Sequence, residues 1–371
     1  MKPKNILAKR VLGSFGVTVA STVLAFIASI VLSRILDAEA FGTYVYALSW
    51  VTLLGVPATF GLDVLLTREL SIYCTKKQWA LARGLMQWSG TVVVCISLLV
   101  LSIAIFVVLG VAETDSTVAI AVVAALCSLP IMTLRTLRLA AMKGFSAVVL
   151  GRIPDSIIAP CLLISLSILF KIVFKESLGV VSLLVLTIAV SLVTLIIGAC
   201  LLKTVIPKEV DVASPQYQSK VWLSTAFPLV LIGGAQIITS RTDVLMLGTL
   251  LGPESAGLYA VASRCASFVL FMQMAVLSSL SPTIASLYSQ EKKERLQRVM
   301  TKSVRLVFFF SFLTSMLLVS GREFFLSIFG GEFQSAAPPL TILVLGKLVA
   351  SSCGVVGLLL SMTGHQNFKA I

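Results

Sequence analysis

The sequence is poor in charged residues. Only 12% of its 371 residues are charged, whereas 58% are hydrophobic, and the mean hydropathy is +1.03. A soluble domain of this length needs a charged surface to stay dissolved. This composition cannot supply one, so it excludes an ordinary soluble protein and indicates that lipid surrounds most of the molecule.

Residues that carry metal and redox chemistry are also scarce. The sequence has one histidine, His365, and seven cysteines that are scattered without a Cys-x-x-Cys pair. Scattered cysteines in apolar segments are typical of small buried side chains, and the spacing predicts neither a disulfide framework nor a metal site. We therefore predict that the protein is not an enzyme and has no catalytic residue, no cofactor and no metal.

Long apolar runs are what the sequence has in abundance. Each run is about 20 residues long, which as a helix crosses a hydrocarbon core of about 30 Å. None alternates as a barrel strand would, so we predict an all-α, polytopic membrane protein. The first run is too long for the core of a signal peptide and is read as a retained span. The ten predicted spans are 11–32, 44–66, 85–110, 118–134, 154–171, 179–202, 222–247, 258–284, 305–329 and 338–361.

The cations are distributed unequally between the connections. Of 29 lysines and arginines, 22 lie on the connections that share a side with the N-terminus, and only four lie on the other side. The crowded side includes Arg135, Arg138 and Arg152 after the fourth span, and an amphipathic segment, 290–305, predicted to lie as an interfacial helix on an anionic leaflet. Because cytoplasmic loops are enriched in cations, we predict a plasma-membrane protein with a cytoplasmic N-terminus.

The sequence also contains an internal repeat. A shift of 215 residues aligns twelve identical residues between positions 33 and 85 with the second half, among them Gly42 with Gly257. The shift covers six spans, an even number, so we predict two lobes that enter the membrane in the same direction. The second half has no counterpart of the fifth and sixth spans, so we expect a twelve-span protein without its last two helices, or else a genuine ten-span variant. The predicted domains are an N-terminal lobe (1–206), a cytoplasmic linker (207–221) and an incomplete C-terminal lobe (222–371).

Ionisable residues inside spans are expensive and usually face a cavity or a partner. Four cations belong to the outer halves of their spans, and we predict that they line a cationic lumen that attracts a phosphate or pyrophosphate group. These residues are Arg34, Arg241, Arg264 and Lys347. Arg34 could instead reach the outer head groups.

Two acidic residues have two interpretations each. Asp243 either pairs with Arg241 or Arg264 to hold two spans together, or contributes to ion coupling. Asp63 is either a proton or cation site, or the partner of the nearby Arg68 in a local ion pair.

Three segments resemble the bacterial polysaccharide-biosynthesis flippases, the O-antigen and exopolysaccharide translocases of the multidrug/oligosaccharidyl-lipid/polysaccharide exporter (MOP) superfamily. They are LSRILDAEAFGTYVYALSW (Leu32–Trp50), GLDVLLTREL (Gly61–Leu70) and RTDVLMLGTLLGPESAGLYAVASR (Arg241–Arg264). The resemblance is a distributed pattern without a short diagnostic motif. It implies a MATE-like transporter with two lobes and twelve or fourteen spans.

The resemblance also implies a function. Such a protein flips an undecaprenyl-pyrophosphate-linked oligosaccharide from the cytoplasmic to the outer leaflet by alternating access, for example during lipopolysaccharide synthesis. It implies a cationic lumen, with Arg34, Arg241, Asp243 and Arg264 at positions where the family has similar residues. The expected partners are the lipid-linked glycan, membrane lipids and other polysaccharide assembly proteins, and no nucleic acid.

Two other functions stay open. A multidrug extrusion antiporter of the same superfamily needs acidic residues in the first lobe to couple cations, and Asp63 is the only candidate. A membrane glycan polymerase or ligase would need a large outer loop, and every predicted outer loop is short. The cationic excess favours the flippase over the antiporter, and the short outer loops favour it over the polymerase or ligase.

Overall fold

The protein is all-helical, as predicted. The computed structural model describes residues 3–111, 116–174, 179–290 and 292–362, and these contain helices and turns but no strand. His365 lies outside the described residues. The helices are α1 (Pro3–Ile35), α2 (Ala38–Thr59), α3 (Leu62–Thr75), α4 (Trp79–Val111), α5 (Thr117–Leu126), α6 (Leu129–Gly144), α7 (Val148–Ile153), α8 (Ala159–Phe174), α9 (Val180–Val205), α10 (Lys208–Val212), α11 (Ser219–Leu250), α12 (Pro253–Ala266), α13 (Phe271–Ser289), α14 (Lys293–Ser320), α15 (Arg322–Ser327) and α16 (Ala337–Met362).

Ten helical segments are long and apolar enough to cross a membrane within the described residues, which confirms the predicted number of spans. Many of their large apolar side chains are exposed, as a lipid-facing surface requires. The ten segments are Gly16–Ile35, Ala38–Thr59, Trp79–Gly110, Thr117–Gly144, Val148–Val173, Val180–Val205, Ser219–Leu250, Pro253–Leu277, Glu294–Ser320 and Gly331–Gly354.

The chain divides into two compact units. The first unit is Gly16–Gly257, and the second unit is Leu258–Ile371 together with Met1–Phe15. Helix α11 belongs to the first unit, where it packs along α2 and α3. The sequence repeat places α11 at the start of the predicted second lobe. That assignment is based on the symmetry of the sequence and not on helix packing. The lobe boundaries therefore remain a prediction.

The second span ends earlier than the apolar run suggests. The predicted span reached residue 66, but α2 stops at Thr59 because Phe60 and Gly61 adopt left-handed backbone angles, with φ of 49° and 66°. Gly61 also lies close to α11, since a Cβ there would be 2.9 Å from the carbonyl oxygen of Ala226. The chain therefore turns at Gly61, and the following residues form the separate amphipathic helix α3.

Two residues paired by the sequence repeat touch each other in the first unit. A Cβ added to Gly257 would lie 2.8 Å from the Cα of Gly42, and one added to Gly42 would clash with the backbone of Pro253. The beginnings of α2 and α12 thus cross at two glycines. A side chain at either glycine would separate the two helices.

The predicted linker is bound to α4 over much of its length. The Arg83 guanidinium donates to the carbonyl oxygen of Ala213 at 2.8 Å, and the backbone N–H of Gln216 donates to Ala80 at 3.0 Å. Val210 of the short helix α10 is buried in the same apolar cluster as the Trp222 ring at the start of α11. The segment between α9 and α11 is therefore a packed part of the first unit.

The second unit is built around α13, α14 and α16. Ile284, Val307 and Leu340 are fully buried, and the Ser311 hydroxyl donates to the carbonyl oxygen of Val269 at 2.9 Å. The predicted interfacial helix at 290–305 is not a separate element, because α14 runs without a break from Lys293 to Ser320. Its basic first half and its apolar second half belong to one continuous helical segment, the ninth span.

Candidate functional site

The fourth span extends past two arginines that were predicted to lie in a connection. The predicted span ended at residue 134, but the helical segment continues to Gly144 and includes Arg135 and Arg138. The Arg138 side chain is only 4% exposed. A hydropathy pattern ends a span at each arginine, because it takes no account of a counter-ion that lies in another helix.

That counter-ion is Asp155, which binds both arginines. The Arg135 Nε donates to Asp155 Oδ1 at 2.7 Å and its Nη2 lies 2.7 Å from the same oxygen, while Arg138 Nη2 donates to Oδ2. The side chains of Arg135 and Asp155 are 20% and 21% exposed. A carboxylate shared by two guanidinium groups is a strong, directional arrangement in surroundings of low dielectric constant.

A π-helical turn brings Asp155 to this position. Residues Pro154–Ile158 join α7 to α8 in π-helical form, and the N–H of Ala159 donates to the carbonyl oxygen of Pro154. A proline cannot donate the hydrogen bond that a regular α-helical turn requires at its position. Such local widenings of a helix are frequent at functional sites.

Helix α9 forms the other wall of the cluster. The Ser191 hydroxyl accepts a hydrogen bond of 2.9 Å from Arg135 Nη1. Opposite Arg138, α9 carries Gly198, and a Cβ there would lie 2.6 Å from the Arg138 Nε. Because this position has no side chain, the guanidinium can rest against the α9 backbone.

A third arginine lies near the start of the fifth span. Arg152 of α7 donates to the Thr18 hydroxyl of α1 at 3.2 Å. Arg138 lies six residues before the end of α6, Asp155 seven after the start of α7, and Gly198 seven before the end of α9. At 1.5 Å per residue, the cluster lies about 9–11 Å inside the spans from one side.

The charges of this cluster do not cancel. Two arginines share one aspartate, and Arg152 donates to a neutral hydroxyl, which leaves a formal surplus of positive charge within the helices of the first unit. Such an arrangement repels a cation and favours an anionic group nearby. Among the described residues, no group of histidine, cysteine, aspartate and glutamate is suited to hold a metal ion.

The residues predicted to line a lumen belong to both units. Arg34 is exposed in the first unit, where Arg241 and Asp243 are half-buried. In the second unit Arg264 is exposed and Lys347 is half-buried. Their role in binding a substrate remains a prediction.

The local ion pair expected for Asp63 is not formed. Arg68 binds the adjacent Glu69 instead, with its Nη2 2.8 Å from the carboxylate. Asp63 lies in the first turn of α3, where a carboxylate is favoured by the positive end of the helix dipole. Its part in ion coupling remains a prediction.

The sequence did contain a signal for the arginine cluster. Asp155 falls inside the predicted span 154–171, and an acid within a span predicts a cationic partner. Arg135 and Arg138 precede it by only 20 and 17 residues. An acid in one span and cations at the end of the preceding one are the pattern that could have identified the site.

Solved structures show which class of protein has this fold. A multidrug resistance MATE family transporter of the MOP superfamily, in an inward-facing conformation, superposes with a TM-score of 0.74 at 12% identity over 94% of this chain and 82% of its own. A MATE transporter from Vibrio cholerae gives 0.57 at 16% identity over 99% and 86%. A MOP superfamily transporter from Pyrococcus furiosus, described as having a binding pocket of reversed polarity, gives 0.60 at 12% identity over 99% and 84%.

The chain thus has the fold of MOP superfamily membrane transporters. The family model for polysaccharide biosynthesis proteins matches residues 7–288, and the MatE model matches residues 228–367. The chain belongs to the polysaccharide biosynthesis protein family, which confirms the resemblance noted in the sequence. No curated protein matches the chain by sequence.

Proposed function

We propose that this transporter flips a polyprenyl-pyrophosphate-linked oligosaccharide, in bacteria the undecaprenyl form, between the leaflets of the plasma membrane for polysaccharide assembly. In this proposal the N-terminus is cytoplasmic, as the distribution of loop cations predicts. The substrate carries at least two negative charges on its pyrophosphate and a neutral or acidic glycan. The transporter must therefore tolerate an anion inside the membrane.

The observation that carries this proposal is the surplus of arginine around Asp155. The described residues of the first six spans contain two acids, Glu39 in the first turn of α2 and Asp155. Asp155 is held by Arg135 and Arg138, so it is not available as an unneutralised site for a cationic substrate or coupling ion, and Glu39 is exposed at the very end of its span. A unit with this charge pattern suits an anionic substrate, which agrees with membership of a polysaccharide biosynthesis family.

In the first unit, Arg34 and Arg241 are the proposed contacts for the pyrophosphate. Both lie toward the same ends of their helices, since Arg34 is next to the end of α1 and Arg241 is nine residues before the end of α11. Guanidinium groups bind phosphate oxygens in a bidentate manner and stay charged at all relevant pH values. Arg264 and Lys347 of the second unit are proposed to act on the same substrate during its passage.

The experiment is reconstitution into proteoliposomes with a fluorescent pyrophosphate-linked oligosaccharide, with flipping measured by quenching from outside. Arg241→Glu should slow flipping at least tenfold, and Arg241→Lys should retain most of it because the charge is kept. Lys171→Glu is the matched control, since Lys171 is an exposed cation in the first unit. Normal flipping by Arg241→Glu would contradict Arg241 as a substrate contact, and no flipping by the unaltered protein would contradict the function itself.

Extrusion of cationic drugs is a second candidate function. It is favoured by the match of residues 228–367 to the MatE model. This function predicts that expression lowers the accumulation of an organic cation such as ethidium and leaves glycan assembly unchanged. Drug efflux by the unaltered protein, together with failure in the flipping assay, would favour this function over the flippase.

A further inference from the structure

One face of helix α14 carries a continuous row of cations. Arg295, Arg298, Lys302 and Arg305 follow one another at spacings of three, four and three residues, which places them on one side of the helix. All four side chains are exposed. At 1.5 Å per residue, this row, here called the basic stripe, is about 15 Å long.

The same face continues into an apolar surface. After Arg305, the spacing of four, three and four residues leads to Phe309, Phe312 and Met316, which are 62%, 51% and 61% exposed. These residues lie in the ninth span, so their exposed surfaces face acyl chains. One helix face therefore changes from strongly basic to strongly apolar within a single turn.

The opposite side of α14 holds the helix in this orientation. Leu296, Met300 and Val307 are buried in the apolar core of the second unit. The basic stripe is turned away from this core, because its residues lie on a different face at helical spacing. Rotation of α14 to hide the stripe would expose the core residues, so the cations stay outward.

The stripe is not neutralised by the protein. The one ion pair found for it among the described residues joins Arg298 to Glu294 at 3.4 Å, with both side chains strongly exposed. An exposed pair of this kind contributes little. Within the part of the chain that the structure describes, Arg295, Lys302 and Arg305 have no ion-pair partner.

We propose that the basic stripe and the apolar face that continues it form a docking surface for anionic phospholipids. The phosphodiester head groups contact Arg298, Lys302 and Arg305, and the acyl chains lie along Phe309 and Phe312. The head-group layer on one side of a bilayer is only about 5–8 Å thick, but long cationic side chains extend along the helix to reach it. Charge complementarity and the direct continuation into a lipid-facing surface favour a phospholipid over a soluble anion. This proposal does not depend on the transported substrate.

The test uses the full-length purified protein and compares two lipids with identical acyl chains. Binding of phosphatidylglycerol and phosphatidylcholine is measured by native mass spectrometry. The variant is Arg298→Gln/Lys302→Gln/Arg305→Gln. The control is an equal charge change at three exposed lysines elsewhere, written Lys203→Gln/Lys208→Gln/Lys220→Gln.

We expect the unaltered protein to prefer phosphatidylglycerol. Each cation near an anionic surface contributes about fivefold to binding, so the stripe variant should lose about 100-fold and the control less than threefold. Thermal unfolding without added lipid should be equal in the two variants, which separates lost binding from lost folding. Equal losses in both variants, or no preference for phosphatidylglycerol, would overturn the proposal. Competition by inorganic phosphate at concentrations similar to the lipid would also overturn it, in favour of a free anion site.

Discussion

Substitutions within the arginine cluster should reduce the stability of the protein by unequal amounts. Asp155→Asn leaves Arg135 and Arg138 next to each other without a counter-ion, and the Arg138 side chain is only 4% exposed. Arg138→Met removes a charge but leaves Asp155 bound to Arg135. We therefore predict that Asp155→Asn destabilises the protein more than Arg138→Met does.

The burial of the partners determines the magnitude. Removal of one partner from a buried ion pair costs about 3–5 kcal/mol, because the other charge stays buried without compensation. This range applies to Asp155→Asn. For Arg138→Met the cost is about 1–2 kcal/mol, since the remaining Arg135–Asp155 pair is about one-fifth exposed and a methionine fills the volume beside Met142.

The double variant Arg138→Met/Asp155→Asn provides the decisive comparison. It leaves Arg135 alone, partly exposed and hydrogen-bonded to Ser191, so most of the stability lost in Asp155→Asn should return. The assay is reversible unfolding in mixed detergent–SDS micelles, followed by tryptophan fluorescence. If the double variant is as unstable as Asp155→Asn, or if Arg138→Met is the less stable single variant, the assignment of Asp155 as the shared counter-ion is incorrect.

Two further predictions concern other residues at the same end of the first unit. Gly84→Ala should destabilise the folded protein by about 1–3 kcal/mol because its Cβ would overlap the backbone carbonyl of Gln216. The control is Gly90→Ala on the same helix, whose Cβ would meet no atom within 4 Å, so its effect should be neutral or slightly stabilising. Equal effects of the two substitutions on unfolding in micelles would count against a fixed linker. Burial raises the pKa of the Cys74 thiol above its ordinary value, so fewer thiolates exist at neutral pH. In a variant in which all other cysteines are replaced by alanine, Cys74 should react with maleimide slowly at pH 7, faster at higher pH, and fastest after unfolding in SDS. Equal rates in the folded and unfolded protein would refute its burial.

Much of the architecture was predictable because it depends on local properties of the chain. A high fraction of apolar residues and little charge require a lipid environment, and runs of about 20 such residues require helical spans. The internal repeat also paired Gly42 with Gly257, and the two lie in contact. The family followed from a distributed pattern that residue periodicity alone does not contain.

The tertiary structure decided what depends on residues far apart in the chain. Hydropathy adds up neighbouring residues, so it ended the fourth span before Arg135 and did not connect Arg138 to Asp155. It likewise extended the second span across Gly61, where contact with α11 requires a turn. The sequence by itself determined that this chain is a membrane protein built from helices. Only the packing of α6, the π-helical turn and α9 determined that two of its arginines share one aspartate, because the energy of a buried charge depends on its spatial neighbours.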